Sequence, residues 1–149
     1  MKQYSVRVEC CGEAIRDLEI CESGEVKIGG EPSVELAGRL KRDLARYFAG
    51  EEVNFLDYEV DLAEMPEFSR QVLEETRRIP YGECRSYSDV ARLVGRPRAA
   101  RAVGQALHRN PVAIIIPCHR VVGKDGGLRG FAGGVERKRY LLNLEVGAQ

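Results

Sequence analysis

The stretch Ile114-Ile115-Ile116-Pro117-Cys118-His119-Arg120-Val121-Val122 constrains this chain more than any other. Three consecutive isoleucines must be buried, and a β-branched apolar run of this kind predicts a short core strand over 114–116. Pro117 ends that strand, because proline has no N–H to give to a ladder. A thiol and an imidazole therefore follow a rigid element, where a reactive group can be held in a fixed pose. Neighbouring side chains on an extended segment point to opposite faces, so Cys118 and His119 can couple only through a bend or a bridging water. Two readings of the pair stay open at this point. Cys118 is either a buried small hydrophobe beside a satisfied polar neighbour, or a nucleophile whose proton the imidazole takes.

The rest of the chain sets the class of protein. Its 149 residues allow one sizeable core or two small ones. No apolar run approaches the ~18 residues of a membrane span, and Met1-Lys2-Gln3-Tyr4 opens no signal-peptide core. An odd set of cysteines (Cys10, Cys11, Cys21, Cys84 and Cys118) without a secretion signal points to reduced thiols and a cytoplasmic location. Cys10, Cys11 and Cys21 lack C-x-x-C spacing, and neither His108 nor His119 lies near them, so no metal is expected. The formal charge of zero hides an asymmetry. Residues 1–80 hold 11 Lys/Arg against 18 Asp/Glu, a net −7, and residues 81–149 hold 12 against 5, a net +7. The basic half carries the Cys-His pair, so a polyanion would dock there, unless the two halves simply attract each other.

Alternation predicts strands over 3–9, 14–21 and 26–28, a small antiparallel sheet. A helix over 31–49 covers it, with Pro32 near its start and Gly50 at its end. A short strand over 55–60 and a linker over 61–67 follow. Phe68, Val72, Leu73, Thr76 and Ile79 form one face of a helix over 68–79. Ser86 reads as the N-cap of a helix over 87–94, with Asp89 placed to close a capping box. Gly95-Arg96-Pro97 breaks it, and Arg98 to Arg109 forms the next helix, stopped by Asn110-Pro111. Two short helices around a tight glycine-containing turn make a helix-turn-helix pattern. The second helix is nearly bare, with Ala99, Ala100, Ala102, Gly104 and Ala106 around Arg101. Such a helix can press against another helix, or against a nucleic-acid minor groove with the arginine reaching in; the flanking Arg96, Arg98 and Arg109 favour the groove. A glycine-rich hairpin over 123–130 leads to a last helix over 135–144, with Arg137, Lys138 and Arg139 on its solvent face. The N–H groups before that helix could hold an electronegative ligand atom. Glu145 sits near the helix's end, where the macrodipole disfavours an acid and a specific partner, an imidazole, would explain it.

Ile116-Pro117-Cys118-His119-Arg120-Val121 resembles the active-site motif of the O6-alkylguanine-DNA alkyltransferases, the methylated-DNA–protein-cysteine methyltransferases. The resemblance extends through Ile79-Pro80-Tyr81-Gly82, Ser86-Tyr87, Ala100-Arg101-Ala102-Val103-Gly104, Asn110-Pro111, Gly133-Gly134 and Leu141-Leu142, and so covers about residues 65–145. It implies an α+β fold: a small ribonuclease-H-like α/β domain over 1–62, then a winged-helix, helix-turn-helix domain over 63–149. It implies direct, stoichiometric transfer of the alkyl group from O6-alkylguanine, and from O4-alkylthymine, to Cys118, with no cofactor and no metal. The partner implied is double-stranded DNA held through its minor groove by a monomer, with base flipping.

The resemblance also assigns roles. His119, through a water, and Glu145 activate Cys118, and Asn110 braces the site. Tyr87 displaces the phosphate and hydrogen-bonds the base, while Arg101 fills the vacated stack. Ala100, Ala102, Gly104, Arg98 and Arg109 contact DNA. Leu107, Val121, Phe131, Ala132 and Gly133 hold the alkylguanine; the carbonyls of Cys118 and Val121 accept from its amine, and the Ala132 N–H donates to O6. Phe131 and Ala132 stand where some relatives have tyrosine and serine, so a hydroxyl contact there is lost. Two competing activities use the same residues. One is a lesion sensor that flips the base without chemistry, although such proteins replace the acceptor cysteine. The other is a cysteine hydrolase built on Cys118, His119 and Glu145, which would turn over.

Overall fold

The computed structural model describes residues 4–22, 24–124 and 134–147, and shows a mixed α+β fold. The hairpin expected over 123–130 falls mostly outside those residues, and Phe131, Ala132 and Gly133 lie wholly outside them.

Strands β1 (Tyr4–Cys11) and β2 (Ala14–Glu22) form an antiparallel hairpin turned at Gly12, whose φ of 62° suits glycine. Their alternation places Val6, Val8, Leu18 and Ile20 in the core, as the sequence pattern requires. β3 (Lys27–Gly29) pairs with β1 in parallel, not antiparallel as expected, because it lies on the other edge of β1 in the order β2-β1-β3. Helix α1 (Val34–Phe48) begins later than its periodicity suggests, at a cap rather than at Pro32. Ser33 Oγ accepts from the Leu36 N–H at 3.1 Å, and Glu13 from the hairpin turn accepts from both the Ser33 N–H and its hydroxyl. The α1 face Leu40, Leu44 and Tyr47 is buried.

The strand expected over 55–60 does not form. The chain bends at Phe55–Tyr58, and only Val60 reaches β2, bridging Ile15. The Arg77 side chain, from helix α2 (Glu67–Arg77), donates to the Phe55 and Tyr58 carbonyls and occupies the acceptors that a ladder would have used. After β4 (Arg85–Ser86), helix α3 (Tyr87–Leu93) starts on the predicted capping box: Ser86 Oγ accepts from Asp89 N, and Asp89 Oδ2 accepts from Ser86 N, each at 3.0 Å. Helix α4 (Ala100–His108) buries Val103, Ala106 and Leu107 and leaves Arg101, Ala102 and Gln105 exposed, with Arg109 just beyond its end.

The isoleucine run is buried, but it is not a strand. Ile114 has a φ of 72°, and the Ile115 N–H reaches back to the Ala113 carbonyl at 2.8 Å, closing a tight three-residue turn. A β-branched residue in that region is strained, and only close packing on all sides can hold it there. The segment meets the N-terminal sheet: Leu18 N donates to Pro111 O at 2.9 Å, and Ala113 N to Leu18 O at 3.1 Å. Thus the free edge of β2 is capped by the residues leading to Cys118. β5 (Val121–Val122) then runs parallel to β4, and helix α5 (Val135–Gly147) closes the chain. Buried side chains from both halves, from Val8 and Tyr47 to Val103 and Leu141, make one hydrophobic cluster.

Lys138 is not on a solvent face, as its charge suggests; it is 1% exposed. It shares its side of α5 with Leu141 and Glu145, at i+3 and i+7, so the helical repeat carries it inward. Arg137 is half-buried and donates to the Ile20 carbonyl at 2.8 Å.

The capping box offers a direct test of the local structure. Ser86→Ala should cost about 1 kcal/mol of stability, because it leaves an α3 N–H without its acceptor, and urea denaturation at constant m-value checks this.

Candidate active site

The bend that Cys118 and His119 require is supplied by Pro117. Its φ of −80° and ψ of 64°, with Cys118 N donating to Ile116 O at 2.8 Å, form a tight inverse turn. Cys118–Arg120 then make a single 3₁₀ turn, closed by Arg120 N on Pro117 O at 2.9 Å. All three side chains are buried, His119 completely. Asn110 spans the turn from the other side. Its Nδ2 donates to Ile116 O at 2.9 Å and its Oδ1 accepts from Val112 N at 3.0 Å, and it shares a cavity wall with the thiol.

Glu145, on the last turns of α5, comes within 2.6 Å of His119 Nε2 through its Oε2. Three further residues donate to the same carboxylate. Arg120 Nε and Nη2 reach it at 2.9 and 3.0 Å, the Gly82 N–H at 3.1 Å and the Tyr47 hydroxyl at 2.6 Å. Arg120 Nη1 is used as well, on the Ile79 carbonyl at 2.7 Å. Burial by itself would raise the Glu145 carboxyl, but the hydrogen bonds from His119 and Arg120 and the Arg120 charge override it and hold the group well below the usual carboxylate range. Glu145 is therefore an anion and can only accept, which requires the proton of neutral His119 to sit on Nε2. His119 Nδ1 is then a bare acceptor. It is buried and has no hydrogen-bond partner among the described residues. Burial lowers the basicity of His119 more than Glu145 restores it, so the ring is neutral at rest.

The thiol is also neutral at rest. Burial raises Cys118, opposed by the Asn110 hydrogen bond, the Lys138 charge and the Cys118 and His119 N–H groups. Those are the groups that would stabilise a thiolate once a reaction demands one. Lys138 is lowered to about 8, first by burial, with Cys118 and Cys84 pulling the other way. Its Nζ lies 3.3 Å from the Tyr87 hydroxyl and 5.6 Å from the centre of that ring. A buried ammonium thus meets the phenol, and its charge acts on the thiol.

Two concave surfaces flank this centre. A cavity of about 290 Å³ is lined by Cys118, Asn110, Leu107, Ala113, Leu18 and Arg137, among others. Leu107 lines the cavity that Cys118 also lines; Val121 is buried on β5 and is not among the residues lining it. The second surface is an open trough along α4, formed by Tyr87, Ala100, Arg101, Gly104 and Arg109 with His108. A Cβ added to Gly104 would lie 3.8 Å from the Tyr87 ring, an ordinary contact, so the bare helix packs against the tyrosine there. Arg98 and Ala102 are exposed beside the trough but do not line it.

Cys118, His119, Glu145 and Asn110, all expected from the sequence, gather around one turn, and Tyr87 pairs with Lys138, whose charge acts on the thiol. Tyr47, the Arg120 guanidinium and the Gly82 N–H belong to this site too, and sequence reasoning misses them. The 138/141/145 spacing is a signal that could have found Lys138. Nothing local marks Tyr47, which reads as one more aromatic on the buried face of α1.

The sequence profile described as 6-O-methylguanine DNA methyltransferase, DNA binding domain, matches residues 67–147, just over half of the chain. The chain belongs to that family. A methylated-DNA–protein-cysteine methyltransferase of Methanosarcina acetivorans is 50% identical over 105 residues, 70% of this chain and 65% of that protein. One from Mycobacterium leprae is 48% identical over 119 residues, 80% of this chain and 71% of that protein. The crystal structure of Mycobacterium tuberculosis OGT in complex with DNA is similar with a TM-score of 0.81 and 37% identity, covering 97% of this chain and 93% of that one. The matched stretch spans just under two thirds of the Methanosarcina relative. The 6-O-methylguanine DNA methyltransferase profile includes every residue of the Cys118 centre except Tyr47, which lies N-terminal to it.

The buried carboxylate predicts how stability responds to pH. Glu145 has a folded pKa depressed below the unfolded value of about 4.3. Its contribution is therefore present above that pH and is lost as pH falls toward the folded value. Glu145→Gln should cost about 3–5 kcal/mol at neutral pH by leaving the Arg120 charge uncompensated, and should flatten the fall in stability below pH ~4. Chemical denaturation across that range checks both.

Proposed function

We propose that this chain repairs DNA by moving the alkyl group of O6-alkylguanine, and of O4-alkylthymine, onto Cys118, once per molecule. The observation that carries this reading is the thiol on a cavity wall that it shares with Asn110, in the same turn as an imidazole whose Nε2 is pinned by a buried anion.

The step balances without a co-reactant. The thiol proton leaves for His119 Nδ1, directly or through a water. Cys118 Sγ attacks the alkyl carbon, an S–C bond forms, and the C–O6 bond breaks with its electron pair going to O6. The guanine so released gains the proton that the thiol lost, with the Tyr87 hydroxyl hydrogen-bonding the base as charge builds on it. The Lys138 ammonium hydrogen-bonds that phenol, and its charge is felt at Cys118, so it favours the thiolate before transfer and the anionic base after it. The imidazolium formed in between sits against Glu145. The thioether product is stable, which makes the reaction stoichiometric.

A base inside a duplex cannot reach a buried thiol, so the lesion must be extruded, at a cost of a few kcal/mol. The α4 trough serves as the DNA surface. Its small residues Ala100 and Gly104, with Ala102 exposed beside it, allow close approach to a minor groove, Arg101 fills the vacated stack, and Arg98 and Arg109 meet phosphates. The similar Mycobacterium tuberculosis protein crystallises in complex with DNA, which supports DNA as the partner of this surface. In this reading residues 63–149 form a winged-helix DNA-binding and transfer domain behind a ribonuclease-H-like domain over 1–62, and the protein works as a monomer. Leu107 lines the cavity that takes the flipped base; Phe131, Ala132 and Gly133, also expected at the base, lie outside the described residues.

Intact mass after exposure to duplex DNA containing O6-methylguanine should rise by one methyl group, mapped to Cys118, and stop at one equivalent. Continued turnover would indicate a hydrolase, and an unmodified protein that binds the lesion would indicate a sensor. Cys118→Ala should abolish transfer and keep DNA binding. Arg101→Ala should slow repair in duplex DNA by at least about tenfold while leaving reaction with free O6-benzylguanine nearly unchanged, since only the duplex substrate requires extrusion. Equal losses on both substrates would refute extrusion by Arg101.

A further inference from the structure

We infer that Tyr47, on α1 of the N-terminal half, is a positioning residue for transfer to Cys118: it tunes the imidazole by sharing the Glu145 oxygen that His119 uses. This inference rests on the reading of Cys118 as the alkyl acceptor.

The geometry is unusual for a residue 72 positions from His119 in the chain. Tyr47 is completely buried, with its ring edge-on to Phe48, Phe55 and Tyr81. That aromatic cage fixes where its hydroxyl points. The hydroxyl donates to Glu145 Oε2 at 2.6 Å and lies 3.4 Å from His119 Nε2. The same Oε2 accepts from His119 Nε2 at 2.6 Å and from Arg120 Nη2 at 3.0 Å. Tyr47 and His119 therefore compete for charge on one atom.

The competition has a direction. A carboxylate oxygen that accepts a strong hydrogen bond has less charge to offer its other donors. By donating to Oε2, Tyr47 weakens the pull of Glu145 on the imidazolium and keeps His119 neutral, with Nδ1 free to take the thiol proton. The other charged groups around the ring cannot replace this action. Arg120, in the same 3₁₀ turn, and Lys138, on α5, are cations that also disfavour the imidazolium, but they act by repulsion. Tyr81, after α2, and Cys84, before β4, feel the charges of Glu145 and Arg120. Both are raised by burial first, so neither adds a charge near the ring at rest. Tyr47 is thus the neutral donor on the oxygen that His119 uses, the Gly82 N–H being on the other, and it comes from a segment outside the matched DNA-binding domain.

The test uses the full chain and the single-turnover rate of alkyl transfer to Cys118 from duplex O6-methylguanine, measured from about pH 5 to 9, the range in which histidine titrates. The acid limb of that profile reports protonation of His119, which removes the acceptor at Nδ1. Tyr47→Phe keeps the ring and deletes the hydroxyl. Its acid limb should move to higher pH by about half a unit to one unit, roughly a three- to tenfold loss of rate on the acid side, with the alkaline rate less affected. Site-specific 3-fluorotyrosine at position 47 keeps the shape and makes a stronger donor, so its acid limb should move to lower pH. A purely structural tyrosine would lower the thermal midpoint in Tyr47→Phe and leave both profiles where they are. That result, or shifts of the opposite sign, would overturn the inference. Should Tyr47→Phe fail to fold, the fluorotyrosine protein still decides between the two. If neither wild type nor variants carry the alkyl group on Cys118 by peptide mass, the acceptor reading fails, and this inference with it. If Cys118 is alkylated and the profiles coincide, only the role of Tyr47 fails.

Discussion

The carboxylate of Glu145 is the interaction on which the rest of the structure depends. It is an anion with 1% exposure, and burying one unpaired would be prohibitively costly. Three segments make it tolerable: α1 through Tyr47, the turn after α2 through Gly82, and the 3₁₀ turn through both His119 and Arg120. Each donor must arrive within hydrogen-bond distance, so the carboxylate fixes the relative positions of elements scattered over most of the chain. Part of the folding free energy is thereby committed to holding one imidazole in one tautomer. Buried ion pairs add little net stability against apolar packing, so the network is better explained by what it orients than by what it stabilises.

The same arrangement accounts for the strain at Ile114. The thiol must leave the core at a defined angle, and two successive tight turns, at Ile114 and Pro117, set that angle. Pro117 adopts its geometry at little cost, because its ring already fixes φ near the required value. Ile114 does not, and its unfavourable backbone is held by full burial and by the bond from Ala113 to Leu18 on β2. Strain of this kind next to a reactive group fits a pre-organised site. It also ties the N-terminal sheet to the segment that leads to Cys118.

Much of the site is legible without coordinates. Glu145 stands out as an acid at the wrong end of a helix, and its partner is the imidazole that the dipole argument points to. The Ser86–Asp89 capping box is readable because it is local, requiring only a spacing of three. Pro117 is readable as a break because it has no N–H. The isoleucine run departs from the expected strand because burial and strand formation leave the same apolar pattern, and nothing in three isoleucines encodes a positive φ. Lys138 departs from the expected solvent face because the helical repeat, not its charge, decides which way it points. The strand expected over 55–60 is absent because Arg77, about twenty residues away, takes its carbonyls.

What the sequence by itself determined is therefore the local chemistry: which residue types lie side by side, where helices are capped, where the backbone cannot continue, and which family the ordered motifs belong to. All of these depend on neighbours a few positions apart. Only the tertiary structure decided which atom of Glu145 faces His119, that Tyr47 competes for it, and that Lys138 turns inward onto the Tyr87 phenol. Those contacts join residues from 26 to 98 positions apart. Their partners are selected by the packing of a common core, and no periodicity or motif in the chain records that selection.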